Sequence, residues 1–274
     1  MDGPGAPPRI FDAHLHIIDP RFPLIPNQGY LPESFTCRDY RQRLSGYDLA
    51  GGAVVSGSFQ GFDQTYLCAA LQELGPGFVG VTQLPASVSD REILELSAAG
   101  VRALRFNLKR GGSAEVTDLD RLARRIFELA RWHVELYVDA RELPALAGVL
   151  SALPAVSIDH LGLSHEGLPQ LLRLVERGVK VKATGFGRVD FDVRQALKTI
   201  YDANPKALMF GTDLPSTRAP RPYCEGDLLL IGETLGEKGA EAVLYQNAMR
   251  FYDIASPDRK IMFRPFLTFP GEKR

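Results

Sequence analysis

Two histidines near the start of the chain, His14 and His16, have the spacing of a pair that acts on one atom. They lie in the run FDAHLH, whose alternating apolar residues predict a β-strand. Side chains two residues apart on a strand point to the same face, about 6 to 7 Å apart along it. Two imidazoles in this arrangement can bind one metal ion or polarise one carbonyl oxygen. A pair of structural, hydrogen-bonded histidines is the competing interpretation.

Asp213 and His160 could transfer protons. Asp213 follows the apolar run LMFGT, and a carboxylate at a buried strand end is costly unless it is paired, coordinated or used as a base. His160 ends the run SIDH, where an imidazole can polarise a carbonyl group or shuttle a proton near neutral pH. A capping aspartate and a structural histidine are the alternatives.

Basic residues in the run RFNLKRGG indicate an acidic substrate. Arg105, Lys109 and Arg110 cluster there, and arginine binds carboxylates through two parallel hydrogen bonds. A solvated basic loop is the alternative. Ser58 and Tyr137 could each donate a hydrogen bond to a substrate or be structural. Three arginines of the last two loops could bind a second carboxylate: Arg188, Arg218 and Arg221.

All of these residues follow or end β-rich runs that alternate with amphipathic runs. The predicted strands are 10–17, 52–58, 78–84, 101–107, 134–139, 156–161, 179–184 and 208–213. The predicted helices are 38–49, 65–74, 90–99, 118–131, 142–150, 168–177, 191–203 and 227–235. This alternation predicts an α/β fold, a single-domain (β/α)₈ TIM barrel, whose active site lies at the carboxyl ends of the strands. A doubly wound sheet also alternates in this way, but no GxGxxG motif follows the first strand.

The length of 274 residues suits one such barrel, and no linker divides the chain. We expect a flexible leader at 1–8, because this segment is rich in glycine and proline, the barrel at 9–253, and a C-terminal extension at 254–274.

Composition excludes several classes of function. The formal net charge of −1 argues against generic nucleic-acid binding. No apolar run reaches the ~18 residues that would span a membrane, and the N-terminal run MDGPGAPPRI lacks the features of a secretory signal. Three widely spaced cysteines without a CxxC motif, Cys37, Cys68 and Cys224, predict reduced, packed thiols in a cytoplasmic protein. A monomer and a homodimer are both compatible with the sequence.

Six segments together resemble the amidohydrolase superfamily, in its amidohydrolase-2 type. They are FDAHLH, GVRALRFN, WHVELYV, SIDHLGLS, VKATGFGR and MFGTDLP, and they occur in the family's order from Phe11 to the region of Tyr252. The most similar branch contains the 2-pyrone-4,6-dicarboxylate lactonases and related sugar-lactone hydrolases.

This resemblance implies a hydrolase that opens a small, carboxylated lactone by the attack of water. Asp213 would take a proton from the water, and His14, His16 and His160 would polarise the lactone carbonyl. The residues that the resemblance and the basic loops assign to substrate binding are Arg105, Arg110, Tyr137, Ser58 and Arg188. A divalent metal, zinc or manganese, would bind to His14, His16 and Asp213, and metal-independent activity is equally compatible with these residues.

The sequence departs from the family pattern at two places. Metal-dependent members carry a further ligand on the fourth or fifth strand, where this chain has Arg105 and Tyr137; Asp139 could replace that ligand only if it pointed inward. The dicarboxylate lactonases have an arginine three positions after the sixth-strand histidine, where this chain has Leu163. The alternatives are therefore a metal-dependent decarboxylase, a lactone isomerase and a barrel that binds without catalysis.

Overall fold

Eight parallel strands, each hydrogen-bonded to the next in chain order, form a barrel in the computed structural model, which describes residues 7–253. The strands are β1 Arg9–Leu15, β2 Asp48–Val55, β3 Phe78–Thr82, β4 Val101–Asn107, β5 His133–Tyr137, β6 Val156–Ile158, β7 Lys180–Ala183 and β8 Leu208–Phe210. The predicted TIM barrel is confirmed. Except for residues 7 and 8, the predicted leader lies outside the described residues, as does the predicted extension 254–274.

The barrel closes where the chain just after β8 meets β1. The Asp213 amide donates to the His14 carbonyl at 2.7 Å, and the His16 amide donates to the Leu214 carbonyl at 2.8 Å. Gly211 permits this approach, because a Cβ atom at that position would lie 2.7 Å from the His14 nitrogen. Closure therefore places His14, His16 and Asp213 side by side.

Helices separate the strands and cover the outside of the barrel. They are α1 Cys37–Arg43, α2 Thr65–Leu74, α3 Asp90–Ala98, α4 Leu119–Ala130, α5 Leu143–Ala152, α6 Leu168–Glu176, α7 Val193–Ala203, α8 Glu225–Glu241 and, after a π-helical turn, α9 Asn247–Phe251. In α4, Leu122 and Ile126 are buried, because residues four apart share one face of a helix. Within residues 7–253, no helix is both long and apolar enough to cross a membrane.

The second half of the predicted helix 38–49 is wrong. A capping box between Thr36 and Asp39 starts α1, but α1 ends at Arg43 and a turn follows. Asp48 and Leu49 then pair with Arg9 and Ile10 in the sheet. Strand pairing along the whole of β1 therefore outweighs the local helical pattern.

Ala248 of α9 and Tyr252, the residue after α9, pack against the amino-terminal end of the barrel. Tyr252 stacks on Phe11 with ring centroids 5.5 Å apart, and its hydroxyl donates to Glu135 Oε1 at 2.6 Å. The opposite end, where the carboxyl ends of the strands meet, is left for the site.

The three cysteines differ in burial. Cys37 is buried, Cys68 is half-buried and Cys224 is exposed, and none of them forms a disulfide. The prediction of packed thiols is thus wrong for Cys224, which is the exposed N-cap residue of α8.

Candidate active site

A cleft of about 370 Å³, open to solvent, lies at the carboxyl ends of the strands. Its lining includes most of the residues singled out in the sequence: His16, Ser58, Arg105, Arg110, Tyr137, His160 and Arg188. His14 and Asp213 lie beside them and are almost fully buried, with 0% and 1% of their surface exposed.

The Asp213 carboxylate is held through one oxygen only. Arg188 donates through Nε to Asp213 Oδ2 at 2.7 Å, and its Nη2 lies at the same distance. Among the described residues, none donates a hydrogen bond to Asp213 Oδ1. This oxygen lies 3.8 Å from His16 Nε2 and 3.9 Å from His14 Nε2. Asp213 adopts a left-handed backbone conformation, φ 61°, which is rare for residues with a side chain and common at functional sites.

The tautomer of His16 follows from its hydrogen bond. His16 Nδ1 lies 2.7 Å from the carbonyl oxygen of Val55, which can only accept, so Nδ1 carries the proton. Burial, followed by the charge of His14, holds the pKa of His16 well below its usual range. The ring is therefore neutral near pH 7, and its Nε2 lone pair points toward Asp213. In this state His16 can accept a proton or bind a metal ion, but it cannot donate to a carbonyl oxygen.

His14 and His160 complete the cluster, with ring centroids 4.8 Å apart. Burial is the main cause that lowers the pKa of both imidazoles, and the lowering is larger for His160. His160 packs against Gly185, where a Cβ atom would lie 2.6 Å from His160 Nδ1. Gly185 also has a left-handed backbone, φ 62°, so the chain requires glycine there for two reasons.

A buried network of charged side chains lies against the Nδ1 side of His14. Lys182 forms ion pairs with Glu135 and, at 3.7 Å, with Asp159, and all three side chains are fully buried. His14 Nδ1 lies 3.4 Å from both Lys182 Nζ and Asp159 Oδ1. Burial opposes ionisation of Asp159, but the charges of His14, Arg105 and Lys182 hold its pKa well below the usual value. The network fixes the side of His14 that faces away from Asp213.

Of the basic residues in the run RFNLKRGG, two form ion pairs with carboxylates among the described residues and one does not. Arg105 donates to Asp159 Oδ2 at 2.8 Å and to the Ser56 carbonyl at 2.9 Å, so its guanidinium is largely engaged within the protein. Lys109 lies 3.6 Å from Asp139, outside the cleft lining. Within residues 7–253, no carboxylate pairs with Arg110.

Asp139 does not point into the site. Its carboxylate accepts hydrogen bonds from Arg141 and caps the turn that follows β5. The structure therefore offers no support for Asp139 as an inward-facing ligand.

A model of the amidohydrolase family matches residues 11–254 of this sequence. The chain belongs to the amidohydrolase family. Among curated relatives, a 2-pyrone-4,6-dicarboxylate hydrolase of Comamonas testosteroni is 34% identical over 55% of this chain, and the match covers 51% of that protein. The chain thus matches about half the length of that relative.

Two other relatives of this amidohydrolase align over most of both chains. A 4-sulfomuconolactone hydrolase of Rhizobium radiobacter is 25% identical over 81% of this chain and 82% of its own length. A D-galactarolactone isomerase of Agrobacterium fabrum is 25% identical over 89% of both chains. A crystal structure of an Agrobacterium tumefaciens protein, ATU3138, has a TM-score of 0.78 and 21% identity, with 91% of this chain and 97% of that one covered. That structure supports the barrel fold.

The donor set of this amidohydrolase fits a divalent metal ion. Ligand atoms of His14, His160 and Asp213 all lie within 4.8 Å of one another. His14 Nε2, His160 Nδ1 and Asp213 Oδ1 have no hydrogen-bond partner in the described part of the chain, although all are buried. Buried polar atoms without partners are rare, and two imidazoles with a carboxylate suit zinc or manganese. The sequence predicted His14, His16 and Asp213 as the metal ligands. In the structure, His160 takes the place of His16 in this donor set.

Sequence reasoning missed two residues whose contacts position side chains of the candidate site. Glu135 lies inside β5, where its only signal was a charged residue in an otherwise apolar run. Asn27 belongs to the long loop before α1, and no sequence pattern marked it. It is hydrogen-bonded to Arg110 and Arg218, which line the cleft and belong to two other loops.

Proposed function

We propose that this amidohydrolase hydrolyses a small lactone that carries a carboxylate, with Asp213 as the general base. The observation that carries the proposal is the difference between the two oxygens of the Asp213 carboxylate. Oδ2 is fixed by Arg188, while Oδ1 is buried, has no donor among the described residues, and faces two imidazoles. A fixed carboxylate with one accepting oxygen is the arrangement that proton abstraction from water requires.

The proposed reaction begins when a water molecule gives a proton to Asp213 Oδ1 and its oxygen attacks the lactone carbonyl carbon. The carbonyl oxygen becomes an oxyanion, and the imidazoles of His14 and His160 stabilise its developing negative charge. The intermediate then re-forms the C=O bond and breaks the bond to the ring oxygen. Protonated Asp213 returns the proton to that leaving oxygen, so the product is the ring-opened hydroxy acid.

The substrate carboxylate would bind on the basic side of the cleft. Arg110 has the freest guanidinium, so we assign it the main contact, with Arg188 and Arg105 adding positive charge nearby. Ser58 and Tyr137 line the same cleft and could donate hydrogen bonds from their hydroxyl groups. The Tyr137 ring also lies under the Arg105 guanidinium, 5.3 Å from centroid to Cζ, which helps to hold both side chains in place.

A zinc or manganese ion, if bound, would be held by His14, His160 and Asp213, with His16 adjacent. When bound, such an ion polarises the carbonyl group and lowers the pKa of a bound water.

Lactone isomerisation is the second candidate, because the D-galactarolactone isomerase aligns with 89% of this chain. An isomerase moves the acyl group to another hydroxyl of the same molecule, and the general base removes the proton from that hydroxyl instead of from water. The two reactions differ in where the new oxygen comes from.

Mass spectrometry in ¹⁸O-labelled water tests the proposal. The purified protein is incubated with 2-pyrone-4,6-dicarboxylate and with a panel of sugar lactones. Hydrolysis adds one labelled oxygen to the product, whereas isomerisation adds none, and release of carbon dioxide would indicate a decarboxylase.

Asp213→Asn should lower hydrolysis about 100- to 10,000-fold, the range expected for loss of a general base, with the fold intact. Asp120→Asn is the matched control, because Asp120 lies on the outer helix α4 with 50% of its side chain exposed. Near-normal turnover in Asp213→Asn would disprove the assignment.

A further inference from the structure

The residue directly after β3, Gln83, connects two of the loops around the cleft. Its side-chain nitrogen Nε2 donates to the carbonyls of Gly57 and Gly61, at 3.2 and 3.1 Å, and to the carbonyl of Gly112 at 3.0 Å. Gly57 and Gly61 belong to the loop after β2, and Gly112 belongs to the loop after β4. One amide group therefore holds both loops.

The orientation of the Gln83 amide follows from its surroundings. The side chain is fully buried, and Oε1 has no hydrogen-bond partner within residues 7–253. With the amide turned over, Oε1 would face three carbonyl oxygens, none of which can donate. Nε2 has only two protons for the three carbonyls, so at least two of these carbonyls share one proton. The side chain thus uses its whole donor capacity on the two loops, although its acceptor is left unsatisfied at a cost in stability.

The two loops meet at Ser58 and Gly112. A Cβ atom on Gly112 would lie 2.8 Å from the Ser58 carbonyl oxygen and 3.1 Å from the Ser58 Cα atom. Gly112 also has a φ of 82°, a conformation that favours glycine. Gln83 does not itself line the cleft, so its amide holds this contact from within the protein.

The contact sets the spacing of two side chains that the proposed function assigns to the substrate. Ser58 and Arg110 both line the cleft, one from each loop. Arg110 lies two residues before Gly112, and its amide donates to Asn107 Oδ1 at 2.9 Å. The segment that carries Arg110 is therefore held by Asn107 at one end and by Gln83 at the other.

The general base is held by different contacts. Arg188 binds Asp213 from the loop after β7, and the Asp213 amide donates to the His14 carbonyl in the chain of β1. Movement of the loops after β2 and β4 would thus displace Ser58 and Arg110 and leave Asp213 in place.

We propose that Gln83 is a positioning residue for substrate binding, which holds Ser58 and Arg110 at the spacing that the substrate requires. It acts through the two loops and does not touch the substrate. The inference rests on the proposed function and adds to it a residue that lies behind the cleft.

Gln83→Met tests the proposal, because it keeps the length of the side chain and removes the donor. With 2-pyrone-4,6-dicarboxylate as the probe, KM should rise about 10-fold or more, the effect of a weakened charge-assisted hydrogen bond, and kcat should change by less than about 3-fold. A fall in kcat as large as the rise in KM, or an unchanged KM, would overturn the proposal.

Asn247→Leu is the matched control for the loss of a buried amide. Asn247 Nδ2 also donates to backbone carbonyls, those of Pro205 and Leu208, but at the amino end of β8 and away from the cleft. This variant should leave both kinetic constants unchanged. The same rise in KM in Asn247→Leu would show that any lost buried amide has this effect, and the proposal would fail.

A pair of glycine variants disturbs the same contact if Gln83→Met does not fold. Gly112→Ala places a methyl group against the Ser58 carbonyl. Gly111→Ala has a similar backbone strain, φ 74°, but no atom within 4 Å of the new Cβ. Gly112→Ala should raise KM, and Gly111→Ala should not. Equal KM values in the two variants would contradict the proposal.

A double-mutant cycle with Arg110 separates positioning from a general loss of stability. Arg110→Gln should raise KM about 10-fold in the unmodified protein. In the Gln83→Met background the further rise should be smaller, because the guanidinium is already displaced. Additive effects of the two substitutions would show that Gln83 does not act through Arg110 and would overturn the proposal.

Hydrogen exchange separates this inference from the proposed function, because it needs no substrate. In Gln83→Met, the amides of residues 57–63 and 108–113 should exchange faster, and in Asn247→Leu they should not. If both loops exchange faster but the unmodified protein hydrolyses no lactone, the proposed function fails and the positioning role of Gln83 stands. If a lactone is hydrolysed but the exchange of both loops and the KM are unchanged in Gln83→Met, the positioning role is wrong and the proposed function stands.

Discussion

Arg188 binds one oxygen of Asp213 and leaves the other without a donor among the described residues. The guanidinium is itself fixed, because its Nη2 also donates to the Thr217 carbonyl at 2.9 Å. Arg188 therefore connects the loop after β7 with the loop after β8 and aims the carboxylate at the histidines. A base that is held in this way does not have to be reoriented when the substrate binds.

Replacing Arg188 should reduce kcat more than it affects the fold. In Arg188→Gln, Asp213 loses its two charge-assisted contacts and can rotate, and a small misplacement of a reacting group can cost about 100-fold in rate. Arg188→Lys keeps the charge but not the planar pair of donors, so it should recover only part of the activity. Steady-state kinetics of both variants checks this. Equal and normal kcat values would show that Arg188 does not position the base.

Gly185 should be required for activity, whereas Gly178 should not. Gly185→Ala places a methyl group against His160 Nδ1 and strains a left-handed backbone. We expect it to lower the free energy of unfolding by about 1 to 3 kcal/mol and to abolish most activity. Gly178→Ala has the backbone strain, φ 102°, but no atom within 4 Å of the new Cβ. Urea unfolding and lactone assays on the pair separate strain from displacement of the histidine, and equal activity in the two variants would contradict the assignment.

The buried Lys182 should be important for stability. Lys182→Met leaves Glu135 without its cation, whereas Asp159 keeps its ion pair with Arg105, and breaking a buried ion pair typically costs about 3 to 5 kcal/mol. Lys180→Met is the control on the same strand, since Lys180 is only half-buried and its Nζ bonds to one carbonyl, that of Lys206. Denaturant titration measures both. Adding Glu135→Gln to Lys182→Met should restore part of the loss, because it removes the buried negative charge that has lost its cation.

A divalent ion should stabilise the folded protein if the donor set described above binds one. Added zinc or manganese should raise the Tm, because a ligand that binds only the folded state stabilises it by mass action. The shift should disappear in His14→Ala, which removes a donor of the cluster. No shift in the unmodified protein would contradict the prediction. Hydrolysis assayed before and after chelation then shows whether a bound ion takes part in the reaction.

The barrel was predictable because each strand and helix has a local signature. The positions of His14, His16, His160 and Asp213 near strand ends were sufficient to place them together once the barrel was assumed. The boundary between α1 and β2 was not predictable, because residues 44–49 look helical and their strand pairing is with β1, far back in the chain.

Contacts between residues that are far apart in the sequence were not predictable either. Glu135 meets Lys182 across 47 residues, and Asn27 meets Arg218 across 191. Asn27 belongs to no motif, and Glu135 lies in the segment WHVELYV without any role assigned to it there. Only the closed barrel brings each residue to its partner. The pairing of Arg105 with Asp159 was hidden for the same reason, so the sequence assigned the guanidinium to substrate alone.

The contact between β1 and the segment after β8 determines when the active site is completed during translation. Asp12 accepts hydrogen bonds from the amide and hydroxyl of Thr212, 200 residues later, at 2.8 and 2.6 Å. The first histidines leave the ribosome long before their aspartate is made. A nascent chain that stops before β8 therefore holds imidazoles without a base, and catalytic competence arrives in one step with the last strand. Two separately expressed halves of the chain should likewise regain activity only when they reassemble.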